Sequence, residues 1–287
     1  MAEITQLRDA IAALVKDGDE VALEGFTHLI PTAAGQEIIR QGRKNLHLIR
    51  MTPDIIYDQM IGMGSASRLT FSWGGNPGVG SLHRFRDAIQ SGFPHPLEIE
   101  EHSHADMAAR YQAGASGLPF AVLRGYIGSD LPKHNKNIRF MECPFTGELL
   151  ALTPALNPDV TIIHAQKADR KGNVLIEGII GIQKEAALAA RSVIVTVEEI
   201  VDDLAAPSNA CVLPSWVLNC VCLVPGGAHP SYAHGYYDRD NIFCKEWDNI
   251  SRSRELFYSW IDEHILKTET FEEYKASLDS TPQRVQA

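Results

Sequence analysis

Cysteine is scarce in this chain, with 5 among 287 residues. An odd count (Cys143, Cys211, Cys220, Cys222 and Cys244) argues against a disulfide framework and fits the reduced thiols of a cytoplasmic protein. Cys220 and Cys222 stand two apart in an apolar run, so on a strand they share one face. Without a second Cys or His pair at ligand spacing they read as buried thiols, and no metal site is expected. Long apolar runs are also missing. No segment reaches the roughly 18 uninterrupted apolar residues of a membrane span, and the acidic start Met1-Ala2-Glu3 lacks the basic region of a signal peptide. Basic residues are in deficit, with Lys plus Arg at 26 against 36 Asp plus Glu and a net charge of −10. Nucleic-acid binding, which needs a basic footprint, is therefore disfavoured. The nucleotide signatures G-x-G-x-x-G and G-K-[ST], the nucleophile elbow G-x-S-x-G and the zinc motif H-E-x-x-H are all absent.

What remains is an ordinary globular composition, 45% hydrophobic and 22% charged, enough apolar surface to offset the entropy of ordering. Apolar residues at helical spacing predict helices over 5–16, 33–41, 54–60, 105–115, 183–191 and 252–267. Short apolar or β-branched runs predict strands over 20–26, 46–50, 68–73, 98–102, 120–123, 160–165, 174–176, 192–197 and 217–224. The alternation implies an α/β fold with an open, mainly parallel sheet and helices on both faces. No composition shift marks an internal boundary. A single domain over 1–270 and a polar C-terminal tail over 271–287 are expected.

Three segments carry candidate chemistry. Ser72-Trp73-Gly74-Gly75-Asn76-Pro77-Gly78-Val79-Gly80 follows a strand. Glycines there let backbone amides approach an anionic ligand, although a tight structural loop would look the same. Glu98-Ile99-Glu100-Glu101-His102-Ser103-His104-Ala105-Asp106 is dense in ionisable groups. Glu101 beside His104 suits proton transfer, whereas a solvated helix start is the plainer alternative. Val224-Pro225-Gly226-Gly227-Ala228-His229-Pro230-Ser231, running on to Tyr237, is an aromatic, Gly-rich loop suited to a site or an interface.

Taken together, several stretches resemble the α subunits of class I CoA transferases. They are Asp17-Gly18-Asp19 with 21–26 and Ile30-Pro31, then 71–81, Ala168 to Asn173, 197–201 and 225–230. Glu24 departs from the pattern, which usually has glycine there. The stretches 22–32 and 231–237 look like the α chains that act on 3-oxoadipate; glutaconate-type α chains are similar but more distant. The resemblance implies a CoA-transferase-like three-layer fold and a heteromer, a heterotetramer or larger, with a β subunit. It also implies ping-pong transfer of CoA from succinyl-CoA to a dicarboxylic acid, with no cofactor beyond the CoA thioester substrate. The family's nucleophilic glutamate belongs to the β chain, and its Ser-Glu-Asn-Gly motif is absent here. No catalytic residue is expected in this chain. Substrate contacts are expected from Ser72, Gly74, Gly75 and Asn76, with Glu101 and His104 in the same cleft and Arg124 as a cation for a second carboxylate. Two other readings compete: a CoA-dependent ring-opening hydrolase with Glu101 as base, and a non-enzymatic ligand sensor, which the acidic charge and missing helix-turn-helix disfavour.

Overall fold

Strand and helix alternate as the periodicity requires in the computed structural model, which describes residues 2–279. The strands are β1 (Glu3–Ile4), β2 (Glu20–Glu24), β3 (Leu46–Ile49), β4 (Ala66–Phe71), β5 (Glu98–Glu101), β6 (Phe120–Leu123), β7 (Arg139–Glu142), β8 (Leu149–Pro154), β9 (Val160–Asp169), β10 (Val174–Ile176), β11 (Ser192–Val201), β12 (Cys211–Leu213) and β13 (Cys220–Leu223). The helices are α1 (Leu7–Leu14), α2 (Thr32–Arg40), α3 (Ile55–Gly62), α4 (His83–Ser91), α5 (His104–Ala115), α6 (Leu131–His134), α7 (Gln183–Ala189), α8 (Asn241–Arg252), α9 (Arg254–Ile261) and α10 (Phe271–Asp279).

The main sheet runs β1-β13-β11-β9-β2-β3-β4-β5, and every neighbouring pair on that path is parallel. β10 and β12 add an antiparallel flap beside β9. Side-chain alternation along each strand divides the core. Val21 and Leu23 of β2, Leu46 and Leu48 of β3, and Cys220 and Cys222 of β13 face one apolar layer built with α1 to α4 and α8 to α10. On the opposite face Ala22 and Ile49 meet Met107 and Tyr111 of α5 and Ala186 and Ala189 of α7. Helices therefore cover both faces. Burial on both faces is why β9 and β11 read as nearly continuous apolar runs. Among the described residues no helix is long and apolar enough to cross a membrane.

Several elements differ from the sequence expectation. A separate antiparallel sheet, β6-β8-β7, escaped notice because all four residues of β7 are exposed and give no alternation. The expected helix over 252–267 breaks at Ser253, whose hydroxyl accepts the Leu256 amide and starts α9 afresh. The expected tail is corrected at its start. Residues 271–279 form α10, and Phe271, Tyr274 and Leu278 are buried in the large apolar layer. Residues 280–287 of that tail lie outside the described residues.

Strand order positions the site. From β2 the chain moves outward through β3, β4 and β5; from β9 it moves the other way through β11 and β13. β2 and β9 are neighbours, so the loops beyond their carboxyl ends diverge and open a crevice, the usual ligand position in such sheets.

The layer under this crevice centres on Trp247. Its indole N–H donates to the buried Asp58 carboxyl at 3.0 Å, and its ring packs on Phe243, Phe257 and Trp260. We expect Trp247→Ala to lower unfolding free energy by about 3–5 kcal/mol. Trp247→Phe should cost about 1–3 kcal/mol, because Asp58 keeps its burial and loses a donor. Urea denaturation of both variants checks the order.

Candidate active site

The loop after β2 is folded back on itself. A Cβ at Gly25 would sit 2.7 Å from the Leu29 carbonyl oxygen and 2.8 Å from that of His28, so only glycine fits. Thr27 and Leu29 hold φ of 61° and 52°, left-handed values that cost a branched side chain energy and persist only where neighbours enforce them. Those neighbours belong to the 225–240 loop. The Leu29 amide donates to the Tyr232 carbonyl at 3.0 Å, and the Ile30 amide donates to Ser231 Oγ at 3.2 Å. The buried His28 ring stacks on Tyr232 at 4.8 Å, and its Nε2 bonds the Ile179 carbonyl. Burial pushes the His28 imidazole below its ordinary pKa.

The 225–240 loop is pinned from beneath by Glu198 on β11. Its carboxylate accepts the Gly226 amide at 2.6 Å, the Tyr237 hydroxyl at 2.6 Å and His164 Nε2–H at 2.7 Å. Burial pushes this carboxyl up, but the His164 imidazole and the other donors outweigh it and hold the pKa below the ordinary value.

Under the β2 and β3 ends lies a second buried cluster. Glu24 accepts the Met51 amide at 3.1 Å and the Tyr111 hydroxyl at 2.9 Å. Beside it Arg50 grips Asp54 through two bonds of 3.1 Å, and Asp54 caps α3 by accepting the Ile56 amide. Burial raises the Glu24 carboxyl to about 7, against the pull of Arg50 and Tyr111.

Between these loops is a small pocket of about 20 Å³, lined among others by Thr27, Ile30, Asp54, Pro77, Ser231 and Arg239. That volume admits a group the size of one or two waters or a carboxylate, not a whole acyl chain. Arg239 is the basic residue in the lining.

The structure distributes the residues singled out from the sequence unevenly. Ser72 to Asn76 form the loop after β4, which reaches the pocket through Pro77. Its polar groups are largely spent on the loop itself. The Ser72 hydroxyl donates to Met51 O at 2.6 Å, the Gly75 amide to Pro53 O at 3.1 Å, and the Asn76 amide to Gly80 O at 3.0 Å. Asn76 Nδ2 donates to Cys244 O at 2.7 Å and ties the loop to α8. The expectation that these amides and Asn76 present donors to a carboxylate is revised accordingly; of the four residues, Gly74 keeps an amide with no backbone bond among those described. Glu101 pairs with Phe71 in register, so it ends a strand beside Ser72, but it faces an open cleft of about 680 Å³ with Glu98, Asn135 and Asn137. His104 is exposed at the first turn of α5.

His102, not His104, is buried. It bonds Asp106 at 2.6 Å and Glu100 at 2.7 Å, and Arg110 lies 3.0 Å from Glu100. Asp106 also accepts the Tyr126 and Thr153 hydroxyls, and Arg110 donates to Pro154 O. This cluster docks the small sheet onto the main one. Its signal was the i, i+4 spacing of His102 and Asp106 across a helix start.

Arg124 is corrected. Its side chain is 78% exposed at the end of β6 and pairs with Glu148 on the small sheet, because the hairpin turns it outward. The cation of the pocket is Arg239, two residues past the aromatic stretch that the sequence marked. Among the described residues no group of three or more His, Cys, Asp or Glu side chains could hold a metal ion.

An open parallel sheet with loops converging on a switch-point pocket defines an α/β ligand-binding enzyme fold. The chain belongs to the coenzyme A transferase family, whose profile, described as Coenzyme A transferase, matches residues 4–222. It is 69% identical over 278 residues, 97% of this chain and 99% of the relative, to the α subunit of 3-oxoadipate CoA-transferase from Pseudomonas knackmussii. It is 33% identical over 301 residues, 98% of this chain and 93% of the relative, to the α subunit of glutaconate CoA-transferase from Acidaminococcus fermentans. The crystal structure of glutaconate coenzyme A-transferase from Acidaminococcus fermentans superposes with a TM-score of 0.91 at 32% identity, covering 97% of this chain and 93% of that one.

The Glu24 carboxyl gives a pH test. Its folded pKa lies above the ordinary 4.5, so the stability it contributes is present below 4.5 and is lost as pH rises through about 7. Glu24→Gln keeps the shape and removes the titration. Its unfolding free energy should gain on the wild type by about 1–3 kcal/mol between pH 4.5 and 8. Parallel pH profiles in urea titrations would refute this.

Proposed function

We propose that this chain is the α half of a heteromeric CoA transferase that moves CoA from succinyl-CoA to 3-oxoadipate. The near-full-length identity of 69% to the 3-oxoadipate CoA-transferase α chain carries the reading. A second observation supports the division of labour. The carboxylates that line or back the pocket are engaged by their own chain: Asp54 by Arg50, Glu24 by Met51 and Tyr111, Glu198 by Gly226, Tyr237 and His164. A nucleophilic glutamate therefore comes from the β subunit.

In this mechanism the partner's carboxylate attacks the succinyl-CoA carbonyl, forming a mixed anhydride and releasing CoA thiolate. The thiolate attacks the glutamyl carbonyl of the anhydride, giving a glutamyl-CoA thioester and succinate. A carboxylate of 3-oxoadipate then attacks that thioester, and the thiolate released attacks the new acyl carbonyl to give 3-oxoadipyl-CoA and free glutamate. A carboxylate is a weak nucleophile in water and strengthens when the interface closes over it. CoA enters only as substrate, and no resident cofactor is invoked. The loops of this chain shape the acyl side. Trp73 and Ile179, each about half exposed, with Ile180 and Tyr236, form the apolar surface we assign to the partner.

Intact mass of the purified αβ complex after exposure to succinyl-CoA tests the mechanism. We expect a CoA-sized adduct on the partner chain alone, discharged by 3-oxoadipate and lost on borohydride reduction. Turnover without an adduct, or an adduct on this chain, would sink it. Trp73→Ser should weaken assembly by about tenfold or more, read by analytical ultracentrifugation.

A further inference from the structure

Arg239 sits where a substrate cation contact is needed, and its surroundings leave it unneutralised. It lines the small pocket together with residues from the loops after β2, β3 and β4. Its Nε donates to Asn241 Oδ1 at 2.8 Å, which fixes the plane of the guanidinium. Arg239 makes no ion pair among the described residues, so its two terminal nitrogens keep their donors. Two parallel N–H donors on a fixed plane match a carboxylate. The acid that shares the pocket wall, Asp54, has both oxygens on Arg50. Asp240, the next residue, is turned to His229 at 3.0 Å and to the Phe243 amide at 2.7 Å. The Cys244 thiol is pushed up to about 11 by burial and stays neutral.

Two further features fit the same ligand. A Cβ at Gly78 would lie 3.4 Å from Arg239 Nη2, so the glycine loop after β4 runs alongside the guanidinium. Its φ of +73° also calls for glycine. Thr27, held at positive φ, brings a hydroxyl to the same wall. The cavity of about 20 Å³ accepts a carboxylate and stops the chain behind it.

We propose that Arg239 binds the distal carboxylate of a dicarboxylic acyl substrate, with Thr27 beside it, and thereby sets a preference for dicarboxylic over monocarboxylic acids. The proposal rests on the transferase reading given above and names its substrate contact. The reacting carboxylate, at the other end of the acid, then points out of the pocket toward the partner's glutamate.

The test uses the αβ complex with Arg239→Met and Arg239→Lys in this chain. The acceptors are 3-oxoadipate and 3-oxohexanoate, which has the same carbon skeleton without the distal carboxylate. In ping-pong kinetics kcat/KM for the acceptor reports the second half-reaction alone. We expect the ratio of the two kcat/KM values, dicarboxylate over monocarboxylate, to drop about 100-fold or more in Arg239→Met, with partial recovery in Arg239→Lys. An unchanged ratio, whether both values fall together or neither falls, overturns the proposal. Calorimetric binding of adipate and hexanoate to the complex separates this from the transferase reading. If the wild type transfers CoA to neither acid, that reading fails, and Arg239 is judged on binding. A selective loss of adipate affinity in Arg239→Met upholds the contact, and an unchanged adipate Kd removes it.

Discussion

Glu198 is an ionised carboxylate taken out of water, which costs several kcal/mol unless its oxygens are well paired. Here the compensation comes from the Gly226 amide, the Tyr237 hydroxyl and the His164 imidazole, and two of those three belong to the loop that covers the crevice. The dependence runs outward from this contact. The 225–240 loop, held at both Gly226 and Tyr237, places Ser231 and Tyr232 where they fasten the loop after β2. That fastening keeps Thr27 and Leu29 at positive φ. The same loop delivers Arg239 to the pocket. Remove the charge on Glu198 and the walls of the pocket lose their common anchor.

Two other buried clusters use charge in the same structural way. Arg50 and Asp54 close the pocket from behind and fix the start of α3, whereas the His102 cluster fastens a peripheral sheet to an otherwise open strand edge. Buried pairs of this kind contribute little net stability compared with apolar packing, but only one arrangement satisfies all their donors. They fix register at places where the sheet's apolar alternation is blind to it. The apolar layer below, with Trp247 at its centre, supplies the bulk of the burial.

The site that results is a half-site. Its pocket is large enough for one end of a small acid, and its backing carboxylates are already bonded. Around it stand exposed aromatic and branched side chains rather than the rim of a closed cleft. In the mechanism proposed, this chain holds and selects, and the partner reacts. A specificity contact remote from the reacting carbonyl is useful there, because its binding energy positions the near carboxylate for attack.

By itself the sequence determined the alternation of strands and helices, the two-faced burial of β9 and β11, and the loops where glycines and aromatics gather. Those features are local, set by side-chain period and by the few residues that tolerate positive φ. Its family pattern, spread from residue 17 to 230, carried the transferase reading. Tertiary structure alone decided which polar residues meet. His102 and His104 are two apart and chemically alike, yet one is buried between two carboxylates and the other faces water. Arg124 and Arg239 each follow a strand or loop of suitable character, yet only Arg239 turns into the pocket. The four exposed residues of β7 gave no pattern, and α10 looked polar until its three buried residues met the core. The physical reason is common to all of these. Burial and pairing of a charge depend on groups far apart in the chain, which only the packing of strand ends brings within hydrogen-bond reach.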